Sequence, residues 1–293
     1  MRNDRLTLKA GALALLAALL WGGNSVSIKL GLDGVPPAAM AGLRFLLGLI
    51  VVGGAALYWG IGVRIPRRQW AGLGGLAVLF IAQILTLNIG TDFTSGSRST
   101  IAISTYPFFT ALAAHLFIPG DRLSPGKVAG MLLAFAGVLL LFAEGLFSDA
   151  GGLLGDAIVL ASAVMLGLRQ IVLKRLVQGL HTFQVLFWQA ALSLPVFALI
   201  SLLSEADQPY TWTWSVTAAV LYQGLVVAGF CFILWVSLLQ RYSASRLGVV
   251  GFATPVLGVL LSALLLGDPL TWGLLGSMGL VALGIAVVNR ESG

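Results

Sequence analysis

Ten apolar stretches of about 20 residues follow one another along this chain, joined by short polar connections. They fall at about 10–30, 38–59, 69–90, 97–119 and 126–144, then 153–173, 183–204, 214–238, 246–266 and 271–289. A helix of ~20 apolar residues crosses the ~30 Å hydrocarbon core of a bilayer. The pattern therefore predicts an all-α integral membrane protein with ten transmembrane helices. Composition agrees: 10% of the 293 residues are charged, against about 25% in a soluble domain. Period-2 alternation is missing, which excludes a transmembrane barrel. The first run outlasts a signal-peptide core and no A-x-A site follows it, so it reads as an uncleaved first span. With one cysteine, Cys231, no intramolecular disulfide can form.

Charge placement orients the spans. Connections on the side of the N-terminus carry Arg64, Arg67, Arg68, Arg122, Lys127, Lys174, Arg175, Arg241 and Arg246. The opposite connections carry Asp33, Asp92, Asp149, Glu205, Asp207 and Asp268, with Lys29 and Arg98 the basic residues near them. Basic loops mark the cytoplasmic side, so both termini are expected in the cytoplasm. The net charge of +6 reflects this sidedness; it is not the clustered footprint of a nucleic-acid binder.

The chain also repeats itself. Ser95-Gly96-Ser97-Arg98 precedes Tyr106-Pro107, and 148 positions on Ser243-Ala244-Ser245-Arg246 precedes Thr254-Pro255. Gly120-Asp121-x-Leu123 matches Gly267-Asp268-x-Leu270, and Gly126, Met131 and Gly137 match Gly273, Met278 and Gly284. Gly22 to Lys29 has the spacing of Gly167 to Lys174. Two units follow, 1–146 and 147–293. Five spans per unit is an odd number, so the second enters the membrane inverted, as in alternating-access carriers with a binding site at the repeat interface.

Trp21-Gly22 with Lys29, Gly42-Leu43-Arg44-Phe45, Tyr106-Pro107, Thr254-Pro255, Gly267-Asp268-Pro269-Leu270 and the glycine-rich spans 5 and 10 together resemble the EamA-type, ten-helix branch of the drug/metabolite transporter superfamily. The resemblance covers essentially the whole chain and is strongest to the aromatic amino acid exporters. It implies a bacterial inner-membrane carrier that exports amino acids, other metabolites or amphipathic drugs.

Pro107 and Pro255 sit near the middle of spans 4 and 9. Each removes a backbone donor and is expected to free the carbonyl four residues earlier, at Ile103 and Gly251, making a kinked hinge. Neutral polar and aromatic residues are the cavity candidates: Trp21 and Asn24 in span 1, Phe80 and Gln83 in span 3, and Ser99 and Tyr106, with Thr110, on one face of span 4. Span 6 offers Ser162, Met165 and Arg169, and span 8 Tyr222 and Gln223. An amide in hydrocarbon needs a partner, so interhelical bonding, worth about 0.6 kcal/mol per bond, competes with ligand contact for each. Trp188 and Trp235 are expected at lipid-facing or interfacial positions. Arg44 is expected to gate or to meet a carboxylate, and its second-repeat equivalent is Gln189. Arg169, about four residues from the inner end of its span, either snorkels or faces the interior.

No acidic residue lies at mid-span, which favours a facilitative carrier over a proton antiporter. Asp156, just inside span 6, is the remaining coupling candidate. Small residues at four-residue spacing in spans 5 and 10 predict close packing within a monomer, with a dimer interface as the lesser reading. Gly120 to Lys127 is one residue too long for a P-loop and lacks its Ser/Thr. His115 and His181 show no metal spacing. Neither an enzyme nor a cofactor or metal is expected. The expected partners are a small-molecule substrate and the lipid bilayer, with the chain monomeric or weakly dimeric and no nucleic acid. The alternatives are a proton-coupled exporter of drugs or cationic metabolites, and a non-transporting scaffold or sensor.

Overall fold

The computed structural model describes residues 2–141, 152–266 and 272–290. Glu144, Asp149 and the Gly267-Asp268-Pro269-Leu270 match lie outside the described residues. Span 1 comprises helices Leu8–Gly22 and Asn24–Leu32, span 2 is Pro37–Tyr58 and span 3 is Trp70–Asp92. Span 4 comprises Gly96–Ile103 and Tyr106–Phe117, and span 5 is Pro125–Leu141. Span 6 is Leu153–Leu176 and span 7 is Thr182–Ser204. Span 8 runs Trp214–Leu221, a π-helical stretch Tyr222–Cys231, and Phe232–Arg241. Span 9 comprises Ala244–Val250 and Ala253–Leu266, and span 10 is Trp272–Arg290. Eight of these ten spans are long and apolar enough to cross a membrane; spans 5 and 9 are the shorter apolar pair.

Several helices begin where a side chain satisfies an orphan N–H. Ser95 accepts from Arg98 N and its repeat equivalent Ser243 from Arg246 N. His181 accepts from Phe183 N while Gln184 accepts from His181 N, a capping box. The prolines act as helix starters, which corrects the expected mid-helix kinks. Tyr106-Pro107 opens the second helix of span 4 and Pro255 lies in the first turn of the second helix of span 9, positions where a missing N–H costs little. At the first break the Ser104 hydroxyl donates to Thr100 O at 2.6 Å and that of Thr105 to Ala102 O at 2.7 Å. At the second, Thr254 N donates to Gly251 O at 3.0 Å, so that carbonyl is not free as expected.

Packing follows the repeat. Span 6 lies against spans 3 and 4, and its counterpart, span 1, lies against spans 8 and 9. Spans 5 and 10 pack on each other, as do spans 2 and 7. Glycines set the closest crossings. A Cβ on Gly22 would lie 2.5 Å from Gly258 Cα, and one on the equivalent Gly167 would lie 2.6 Å from Phe109 Cβ. Gly130 meets Gly284 while Gly137 meets Ser277 and Val281, so spans 5 and 10 run antiparallel and their small residues pack within the monomer. Gly42 against Phe197 and Gly53 against Phe187 show the same for spans 2 and 7. Equivalent spans run in opposite directions: the second set of five is inverted.

The two ends of the bundle are separately tied. At the N-terminal end, Lys174 Nζ donates to Leu239 O at 2.8 Å, to Tyr242 O at 2.6 Å and to Arg2 O. Asn3 donates to Pro119 O, and Trp188 Nε1 to Val63 O. Asp121, 1% exposed, accepts from Lys127, from the hydroxyls of Ser243 and Ser245, and from Ser245 N. At the opposite end Lys29, the equivalent of Lys174, donates to Thr91 O and Asp92 O. There Arg98 pairs with Asp156, and Glu205 caps Ala38 N and Ala39 N. The described connections alternate between the two ends.

Candidate functional site

Where the broken spans meet, a cavity of about 130 Å³ opens between the repeats. Spans 1, 2, 3, 4, 6, 8 and 9 line it, and no described residue of spans 5, 7 and 10 does. The lining from span 2, which is Arg44, was not among the spans expected.

Four aromatic side chains give the cavity much of its wall. Trp21 packs on Trp235 at 5.0 Å between ring centroids and on Phe232 at 6.3 Å. Tyr106, at the head of the second helix of span 4, stands where a Cβ on Gly251 would go, so the breaks in spans 4 and 9 touch through this pair. Ile103 and Gly251, equivalent residues at the two breaks, both line the cavity. Trp235 is 3% exposed and donates from Nε1 to Gln170 Oε1 at 3.3 Å. That overturns its expected lipid-facing place: neighbouring helices cover this face of span 8. Trp188 is half-buried, packed on Trp70 and bonded to the connection after span 2.

The polar lining is of two kinds. Gln83 Nε2 donates to Ser162 Oγ at 3.0 Å while Ser162 Oγ donates to Gln83 O at 2.7 Å, tying span 3 to span 6. That leaves Gln83 Oε1 buried without a hydrogen-bond partner, and Asn24 Oδ1 is in the same condition. Arg44 and Arg169 are the second kind. They are 2% and 5% exposed, so Arg169 does not snorkel. Nε and Nη1 of both are buried without a hydrogen-bond partner. Both guanidiniums rest on one aromatic floor. Arg44 lies 5.0 Å from the Phe45 ring centroid, and Arg169 lies 5.0 Å from Phe80 and 5.4 Å from Phe232. Phe45 itself packs at 4.6 Å from Phe80.

Of the residues singled out from sequence, Trp21, Asn24, Arg44, Gln83, Tyr106 and Arg169 line the cavity. Phe80 lies beneath it, as Arg169's ring partner. Ser99 bonds Thr91 at 2.7 Å on the far side of the span 4 break, so it does not share a continuous face with Tyr106 and Thr110. Tyr222 donates its hydroxyl to Leu20 O and Gln223 donates to Ser27 O at 2.8 Å; both tie span 8 to span 1. Met165 is half-buried beside the lining residue Leu166. Pro107 and Pro255 are buried next to the breaks and outside the lining. Thr100, Ser104, Gln170 and Thr254 line the cavity without having been singled out for it.

The sequence profile of the EamA-like transporter family matches residues 8–143 and again residues 153–290. The chain belongs to the EamA-like transporter family. It is 30% identical to a probable amino-acid metabolite efflux pump of Salmonella typhimurium over 290 residues, covering 95% of this chain and 94% of that one. It is 27% identical to the aromatic amino acid exporter YddG of Ancylobacter novellus, covering 86% and 87%. A solved crystal structure at 26% identity covers all of both chains with a TM-score of 0.81. This EamA-like chain is thus a multi-pass membrane protein whose fold is that of a transporter family.

Proposed function

We propose that this protein exports small amphipathic metabolites, foremost aromatic and other apolar amino acids, across the bacterial inner membrane by alternating access. The observation that carries the reading is an aromatic- and amide-lined cavity placed where broken spans of the two inverted repeats touch. Helices broken beside a central site let one repeat rock against the other while the site stays fixed. The Tyr106–Gly251 contact couples the two breaks, so spans 4 and 9 move together. Relatives named as amino-acid metabolite efflux pumps and as an aromatic amino acid exporter support the substrate class. No carboxylate is found among the described residues that line the cavity, which favours downhill movement over proton exchange. Asp156, paired with Arg98 away from the cavity, is a tie between spans 4 and 6 in this reading. The basic connections share the end of the bundle that holds the N-terminus, supporting cytoplasmic termini.

The test is uptake of labelled phenylalanine, tryptophan, threonine and methionine into proteoliposomes, with and without an imposed pH gradient. Saturable uptake indifferent to the gradient is the expected result. Stimulation by the gradient would overturn the facilitative mechanism. Absence of flux for every solute would overturn the substrate class and leave a scaffold or sensor.

A further inference from the structure

Arg44 comes from span 2 of the first repeat and Arg169 from span 6 of the second, yet both guanidiniums reach one cavity. A guanidinium stays protonated in proteins, so the cavity holds two positive charges. What surrounds them compensates little. The ring faces of Phe45, Phe80 and Phe232 take the planes of the cations, which leaves the edge donors Nε and Nη1 buried and unpartnered on both. Among the described residues no carboxylate lines the cavity, and three are committed at the ends of the bundle: Asp121 to Lys127 and the serines, Asp156 to Arg98, Glu205 to the N-terminus of span 2. A buried cation without a counter-ion is strongly unfavourable, and removing water around a solute sharpens the penalty. The missing charge must therefore arrive with the ligand.

A zwitterionic amino acid brings none on balance: its carboxylate suits the arginines, but its ammonium adds a third cation to a site whose free acceptors, Asn24 Oδ1 and Gln83 Oε1, are neutral. A cation is worse. We infer that the cavity selects net-anionic carboxylates, with an apolar or aromatic body and a neutral donor such as a hydroxyl or acylamide N–H beside the carboxylate. N-acyl and 2-hydroxy derivatives of aromatic and apolar amino acids have this chemistry. The carboxylate takes the paired donors of the two guanidiniums, a charge-assisted contact favoured by arginine geometry. The neutral donor meets Asn24 or Gln83, and the body lies along Trp21 and Tyr106. Free amino acids remain ligands of lower rank. This inference rests on reading the cavity as the transport site.

Four compounds sharing one phenyl ring separate the charge classes: phenethylamine, phenylalanine, phenyllactate and N-acetylphenylalanine. Binding to the purified full chain in detergent, measured by ligand-induced thermal shift and by competition against labelled N-acetylphenylalanine, ranks them. Both anions are expected to bind about tenfold tighter than phenylalanine or better, with phenethylamine last. Arg44→Gln and Arg169→Gln are each expected to abolish that preference. Equal or tighter binding of phenylalanine or phenethylamine to the wild type overturns the inference, and this comparison stands even where a variant does not fold. So does an unchanged ranking in folded variants. Saturable phenylalanine flux that ignores both substitutions would overturn the anion preference and leave the export reading standing. Failure of all four compounds to bind, together with absent flux, would remove both.

Discussion

Asp121 illustrates how a single carboxylate can hold one end of a membrane bundle. Burial alone would raise its carboxyl, but donors from Ser245, the Lys127 ammonium and Ser243 outweigh that and hold it below its ordinary value of 3.8. Because its proton affinity is lower when folded, it contributes stability above pH 3.8, and that stability is lost as pH falls below this value towards the folded one. Asp121→Asn breaks the buried ion pair with Lys127 and is expected to cost roughly 3 kcal/mol. The gap in thermal unfolding between variant and wild type should be full at pH 7 and shrink in acid below pH 3.8. Lys174 and Lys29 test the same principle as a pair. Lys174 is fully buried and satisfies three carbonyls, whereas Lys29 is half-buried with two. Lys174→Met should lower the melting temperature clearly more than Lys29→Met, because the orphaned carbonyl of the buried Leu239 cannot turn to water.

At the level of helices, the repeat visible in the sequence finds its physical reason. The common spacing of Gly22 to Lys29 and Gly167 to Lys174 joins two functions: a glycine where one helix crosses its neighbour, and a lysine that grips the carbonyl end of another, span 3 for Lys29 and span 8 for Lys174. Gly22→Ala would drive a methyl into the backbone of span 9, so it should destabilise by about 1–3 kcal/mol. Gly75→Ala, with open space around it, should be neutral or slightly stabilising. Comparing their unfolding temperatures checks both. Gly251→Ala displaces the Tyr106 ring and should slow flux more than it lowers stability, a split readable from transport rates set against melting curves. Hydropathy located the helices but not their breaks, because a proline within an apolar run looks the same whether it bends a helix or begins one. Polar residues were ambiguous for a related reason. Gln83 and Gln223 are both buried amides, yet one leaves an acceptor in the cavity and the other binds span 1. Which neighbour a helix face meets is a tertiary fact. Trp235 was misplaced and Arg169 left open between two places for the same reason, since distance from a span end says nothing of what covers a side chain.

Across the whole molecule, ten crossings and their inversion were legible, since charge sidedness and an odd number of spans per repeat leave few alternatives. The structure adds the antiparallel meeting of each of spans 2 and 5 with its own counterpart. Sidedness is open to direct test: because native Cys231 is buried, it should resist maleimide, while Arg64→Cys should label from the cytoplasmic side and Asp207→Cys from the outside. Labelling of both from one side would contradict the crossings. One asymmetry remains within the symmetric frame. The equivalent of Arg44 is Gln189, and that of Arg169 is Asn24, so the operation that exchanges the two scaffolds does not exchange the charges. A carrier built this way presents different half-saturation concentrations to its two sides. For a passive carrier at zero membrane potential the ratio of maximal rate to half-saturation must still be equal in both directions, since no solute can be pumped by shape alone. Lower affinity on one side is then matched by a proportionally faster maximal rate from that side, so the facilitative carrier proposed above would work as a two-way door that is stiffer to enter from one room than from the other.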